Sequence, residues 1–340
     1  MTLKQKIIIL GCSIALIAGA PLFAKPKAVS IAVFVPGIVK GNPTYELLVE
    51  GVQAAKAQLD KKGKPVTVKV VEGGVNQGEW QNGLTALALS KKYDLIISSN
   101  PSLPAIAEKV LQSAPKQKFL LLDGYLAGNA QIKTVGFNQY EQGYLNGYYA
   151  ALISSSSMKN ANAAYKIGLL AGQEFPVMND KIRKGYLDGA KAVDKNFELD
   201  FRVLGNWYDA AKASELTASM IKNNVDVILT ICGGGNAGVV AAAREHGAYV
   251  MWFDRPGYSY GKDIVVGSTE ISQKAACTDS VIAFVEGRLE FGTSEELGIK
   301  DGAVNFAFEG VPSAVPADIT QKVKQLIDGV KTGALTLSAH

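Results

Sequence analysis

Short uninterrupted apolar runs alternate along most of the chain with stretches in which apolar residues recur at helical spacing. The first pattern marks strands buried on both faces, and the second marks amphipathic helices. The runs predict strands at 29–35, 66–71, 95–98, 118–122 and 134–137. A second series follows at 166–170, 200–204, 225–231, 249–253, 264–268 and 304–308. Helices are predicted over 45–60, 140–154, 180–192, 210–223 and 237–246. Many of the 35 glycines fall just past an apolar run, where a tight strand-to-helix turn needs them.

Alternation of this kind builds βα units and a parallel sheet. Two series in 340 residues predict an α/β protein of two doubly wound parallel-sheet lobes. In open α/β sheets ligands sit beyond the carboxyl ends of the strands, so two such sheets facing each other share a ligand cleft that a hinge can close. The expected division is a targeting segment at 1–24, a first lobe at 25–137 plus 255–303, and a second lobe at 138–254 plus 304–340. The serine run at 154–157 reads as a surface connection between the two series.

The N-terminus changes the compartment. Lys4 and Lys6 precede an apolar stretch from Ile7 to Ala20, and Ala24 precedes a polar start at Lys25. This order is that of a cleaved secretory signal. An uncleaved anchor is the alternative, although the stretch barely reaches the ~18 residues of a span and is followed by Pro21. Acylation at Cys12 is a third, with few apolar residues before it. Without Lys4 and Lys6 the formal net charge of +4 becomes +2, with no basic run, so nucleic acid and an anionic membrane are not expected partners. Cys232 and Cys277 are too few to staple a large exported protein and are expected as buried thiols.

Catalytic chemistry is hard to find. His246 closes a helix, where imidazole suits the dipole, and His340 is the last residue. Neither has a second ligand at metal spacing, so no metal is expected. No G-x-S-x-G, H-E-x-x-H or P-loop lysine occurs. Gly233-Gly234-Gly235-Asn236-Ala237-Gly238 fits G-x-G-x-x-G between a strand and a helix, with Asp254 near the offset of a ribose-binding acid. An NAD-dependent oxidoreductase is therefore one function to weigh. Against it stand the motif's place deep in the second series and the export signal. Glycines at that turn equally let backbone N–H groups approach any ligand, and a plain βα turn explains them as well.

Aromatic and amide groups collect at predicted strand ends. Asn42 and Tyr45 follow the first strand, with Pro43 placed to start a helix after an Asn42 cap. Asn100 and Asp123 end two more. Trp207 and Tyr208 follow a strand of the second series, and Asp254 and Tyr258 follow another. Trp252 and Phe253 read as core. A flat heteroaromatic ligand needs an aromatic face from each lobe and polar partners at its edge. The candidate ligand-binding set is Asn42, Tyr45, Asn100, Asp123, Trp207, Tyr208, Gly234, Asn236, Asp254 and Tyr258, with no catalytic residue.

Several longer stretches resemble the basic membrane protein family, the substrate-binding components of ABC importers that include the purine nucleoside receptors. The strand–loop–helix from Ile167 to Gly189 is similar to the start of that family's second lobe. The stretch from Asn138 to Ala151, the strand ending in Asp123-Gly124, the glycine turn and Asp254-Arg255 match further motifs. The resemblance implies an aromatic sandwich from Tyr45 and Trp207 or Tyr208, an edge contact from Asp123 and a ribose contact from Asp254. The stretch from Val35 to Tyr45 departs from the family pattern in lacking an acid. Its Asn-Pro-Thr-Tyr-Glu, with the later Asp-Arg-Pro-Gly-Tyr, is more similar to the riboflavin-binding branch. The expectation is an extracytoplasmic monomer that binds riboflavin or a related flavin without a cofactor and serves an ABC permease. A purine nucleoside is the alternative ligand, and a receptor in place of the permease the alternative partner.

Overall fold

The computed structural model describes residues 28–338. The targeting segment, Cys12 and His340 lie outside the described residues. Two six-stranded sheets organise the chain. The first contains β1 (Val29–Val35), β2 (Val66–Glu72), β3 (Leu95–Ser99), β4 (Phe119–Leu122) and β5 (Ile132–Phe137). Helices α1 (Pro43–Lys61), α2 (Trp80–Leu89) and α3 (Leu103–Leu111) connect its strands.

The chain then crosses to the second lobe through α4 (Gln139–Ser154). There follow β6 (Lys166–Ala171), α5 (Arg183–Val193), β7 (Glu198–Val203), α6 (Ala210–Lys222) and β8 (Val227–Ile231). Next come α7 (Asn236–His246), β9 (Tyr249–Trp252) and β10 (Val265–Ile271). A return crossing delivers α8 (Gln273–Val285) and β11 (Ser294–Leu297) to the first lobe. A last crossing delivers β12 (Val304–Phe306) and α9 (Ala317–Lys331) to the second.

The sheet orders are β2-β1-β3-β4-β5-β11 and β7-β6-β8-β9-β10-β12. All pairings are parallel except β10 with β12. Each sheet is buried on both faces, which accounts for its uninterrupted apolar runs. Ile31, Val33 and Val35 enter one core of the first lobe, while Ala32 and Phe34 of the same strand enter the other. In the second lobe Leu169 and Leu229 face one core and Leu170 and Ile228 the opposite one.

Three sequence expectations need correction. The stretch 255–271 belongs to the second lobe, because β10 hydrogen-bonds to β9; the crossing comes just after it, not at 255. The strand β11 escaped notice because Ser-Glu-Glu-Leu has no apolar run. It is the edge strand beside β5, where charged side chains stay in solvent and discourage further pairing. The helix predicted over 180–192 begins with a π-helical turn at Met178–Ile182, and regular α5 starts at Arg183. That helix meets α4 at backbone distance. A Cβ at Gly147 would stand 1.8 Å from the Tyr186 carbonyl oxygen, and one at Gly189 would stand 2.1 Å from that of Tyr144. The glycine pattern that marks this stretch is thus a packing requirement.

Candidate functional site

The carboxyl ends of both sheets face one cleft, with a cavity of about 280 Å³ between them. From the first lobe come Asn42 to Tyr45 after β1, Ser99 and Asn100 at the end of β3, and Asp123 after β4. From the second come Gln173 to Phe175 after β6, Trp207 after β7, Gly233 and Asn236 after β8, and Phe253 and Asp254 after β9. The volume lies near the lower end of small-molecule sites.

Local chemistry fixes each wall. Asn42 caps α1 by accepting from Tyr45 N at 3.3 Å, with Pro43 in the first turn. This holds Tyr45 over the cavity. Its hydroxyl donates to Pro36 O at 2.8 Å and accepts from Asn100 Nδ2 at 3.4 Å. Burial pushes that phenol well above its ordinary range, so it stays neutral. Trp207 lies against Gly172, where a Cβ would come within 2.4 Å of the indole. Its Nε1 donates to Gln173 Oε1 at 3.3 Å.

Two carboxylates share the floor. Asp123 and Asp254 both have positive φ, 55° and 73°, a conformation that Asp tolerates better than most residues. Gln139 Nε2 donates to Asp123 Oδ1. Asp254 accepts from Thr44 Oγ1 at 2.8 Å through Oδ2, and from Gln142 Nε2 at 3.1 Å through Oδ1. Burial, then the neighbouring Asp254 charge, push the Asp123 carboxyl well above the ordinary carboxylate range. Burial also raises Asp254, while its two donors pull the other way.

Several bonds in and around the cleft join the lobes. Beyond Thr44 with Asp254, Gln77 Nε2 donates to Gln173 Oε1 at 2.7 Å. Arg255 Nη1 meets Glu46 Oε2 at 2.5 Å, and Lys181 pairs with Glu296. The cavity is therefore bounded by a closed arrangement of the two lobes.

A family model described as ABC transporter substrate-binding protein PnrA-like, Bmp, matches residues 28–332. The chain belongs to the Bmp family. A CD4+ T-cell-stimulating antigen of Listeria innocua is 25% identical over 82% of this chain and 82% of its own length. The ABC transporter nucleoside-binding protein BmpA of Lactococcus lactis is 24% identical over 70% of each. Among solved structures, an ABC transporter solute-binding protein from Aeropyrum pernix superposes with a TM-score of 0.78 at 20% identity, covering 92% of this chain and 94% of that one. The two α/β lobes thus have the type I periplasmic binding protein fold. Among the described residues no helix is long and apolar enough to cross a membrane.

Of the residues singled out from sequence in this Bmp chain, Asn42, Tyr45, Asn100, Asp123, Trp207, Asn236 and Asp254 line the cavity. Tyr208 and Gly234 line an adjoining space instead. Tyr258 is displaced from the cleft altogether. Its hydroxyl donates to Ala307 O at 2.5 Å, and its ring lies against Gly310. The turn after β9 carries it toward β12 and away from the first lobe.

The glycine turn also has a role of its own. Gly234 N donates to Trp207 O at 2.9 Å, and Asn236 Oδ1 accepts from Thr230 Oγ1 and Cys232 N. A Cβ at Gly238 would stand 1.9 Å from Ala210 O. Close packing of α7 on the start of α6 thus accounts for the glycine at the end of the dinucleotide-like pattern, and the family is one of binding proteins, not dehydrogenases.

Sequence reasoning passed over Thr44, Gln77, Trp80, Gln139, Gln173 and Phe175, all of which line the cavity. Gln173 and Phe175 directly follow the first strand of the second lobe, a position that could have signalled them. Gln77 sits between β2 and α2 and Trp80 is the first residue of α2, with no such mark.

Proposed function

We propose that this protein captures riboflavin or a related flavin outside the cytoplasm and delivers it to an ABC permease without covalent chemistry. The observation that carries this reading is the set of aromatic rings around one closed cavity. Tyr45 and Trp80 come from the first lobe, Phe175, Trp207 and Phe253 from the second. Such a lining suits a wide planar ring held between lobes. Asp123 offers a carboxylate oxygen to donors on the ligand, and a charge-assisted bond in a closed cleft is strong. Hinge closure then removes the ring from water.

Export by a signal ending at Ala24, with acylation at Cys12 as the alternative, completes the reading, and the working form is a monomer. A purine nucleoside is the second reading. It is favoured by the name of the Lactococcus lactis relative, a nucleoside-binding protein.

The absorption spectrum of protein purified without added ligand tests the proposal. Flavin bands, or tight binding of riboflavin after unfolding and refolding, support it. Binding of nucleosides with none of riboflavin overturns the flavin reading and leaves the nucleoside one. In either case Trp207→Ala is expected to cost about 1–3 kcal/mol of affinity, since it removes one stacking face.

A further inference from the structure

The main cavity continues beyond its aromatic walls. A second cavity of about 240 Å³ adjoins it and shares Asn42, Tyr45, Gln77, Trp80, Gln173 and Trp207 with it. The bond between Gln77 and Gln173, with the Trp207 indole on the same oxygen, forms a waist between the two. The chemistry differs on its two sides. The inner cavity holds Asp123 and Asp254. The outer one has no acid in its lining, and its one charged lining residue is Lys40.

The lip of the outer cavity carries three exposed apolar side chains beside the exposed Lys40. Ile38 is 50% exposed, Val75 49% and Tyr208 54%. They come from three separate loops, after β1, β2 and β7, and from both lobes. Single exposed apolar residues need no explanation, but three that converge on one cavity continuous with a ligand site mark a surface that something apolar covers.

We propose that the outer cavity is a second ligand subsite, which holds the hydrocarbon edge of the ring system while the donor-bearing end lies inward toward Asp123. This rests on the planar-ring reading above. Ile38 and Val75 contact that edge from the first lobe and Tyr208 from the second. The subsite therefore selects for ring systems long enough to pass the waist, and for methyl or aryl groups at the far edge. A cationic group placed there would meet Lys40, and a heavily hydrated one would lose its water against three apolar side chains.

The test is a titration of wild type and of the Ile38→Asp/Val75→Asp double variant. The probes are riboflavin and a flavin lacking the two methyl groups of its benzenoid ring. Both substituted side chains are exposed, so circular dichroism and melting should match the wild type. The wild type is expected to favour riboflavin by roughly ten-fold, and the variant to lose that preference, with riboflavin weakened on the order of ten- to hundred-fold. An unchanged preference in the variant overturns the subsite while leaving the flavin reading intact.

If the wild type binds nucleosides and not flavins, the same comparison uses adenosine and adenosine benzylated on its exocyclic nitrogen. The subsite then requires that the benzyl group strengthen binding in the wild type and not in the variant; equal effects overturn it. If the wild type binds neither series, the subsite and the planar-ring reading fall together.

Discussion

Asp123 follows β4, and Asp254 follows β9, the strand at the same place in the other sheet. Both occupy the left-handed region and reach the same cavity. Their partners differ. Within the described residues the Asp123 carboxylate receives one side-chain hydrogen bond, from Gln139 of the crossing helix α4. Asp254 has both oxygens engaged, one by Gln142 of the same helix and one by Thr44 of the opposite lobe. Asp123 thus has acceptor capacity left to offer, while Asp254 ties the lobes together. One backbone device, repeated in two lobes, serves recognition in one and closure in the other.

Substituting each acid breaks this comparison most directly. Asp123→Asn should lower ligand affinity by about 1.5–3 kcal/mol, the worth of a hydrogen bond to a charged group. Asp254→Asn should cost less than about 1 kcal/mol in affinity and act through the open–closed balance instead. Isothermal titration of both variants checks the order; equal losses would mean that Asp254 also touches the ligand.

Thr44→Val tests the tie itself. Losing one hydrogen bond across the lobes should cost roughly 0.5–1.5 kcal/mol of closure. X-ray scattering on unliganded protein should show a larger radius of gyration than for wild type. An unchanged radius would mean that Thr44 and Asp254 do not hold the lobes.

The pH dependence sharpens the electrostatic side. Burial and the Asp254 charge raise the folded-state pKa of Asp123 above its ordinary value of 3.8. Such a group favours the folded, unliganded protein when protonated. Its contribution is fully present below the ordinary value and lost as pH rises through the raised one. Melting temperature without ligand should therefore fall over that window, and less steeply in Asp123→Asn. A ligand that donates to the carboxylate should flatten the same slope in wild type.

The smallest effect is expected at Arg255, beside Asp254. Its pair with Glu46 also crosses the lobes, but both side chains are about a quarter exposed. Arg255→Met should cost about 0.2–1 kcal/mol and lose its effect at high salt. A larger, salt-independent loss in melting or closure would place the main tie there and not at Thr44.

Much of the fold was legible in the residues because strand burial on both faces leaves an unmistakable apolar run. The strand β11 was not, since its glutamates face solvent at a sheet edge. The cleft was legible where a side chain sits directly at a strand end, as with Tyr45, Asp123 and Trp207. It was illegible at Gln77 and Trp80, which reach the cavity from the connection before α2 and from that helix's first residue, where no periodic pattern marks them. Tyr258 shows the opposite error: it lies just past a strand end, yet the turn carries it away from the cleft.

The sequence alone determined the two-lobed α/β architecture, the family and the aromatic character of the cleft. Those follow from hydrophobic periodicity and short motifs, which are properties of neighbouring residues. Only the tertiary structure decided what each polar group does. Thr44 meets Asp254 across 210 positions, and Gln77 meets Gln173 across 96. An amide or carboxylate in water has no preferred partner. It acquires one only when the fold brings a donor within reach, and at Asp254 burial removes the competing solvent as well.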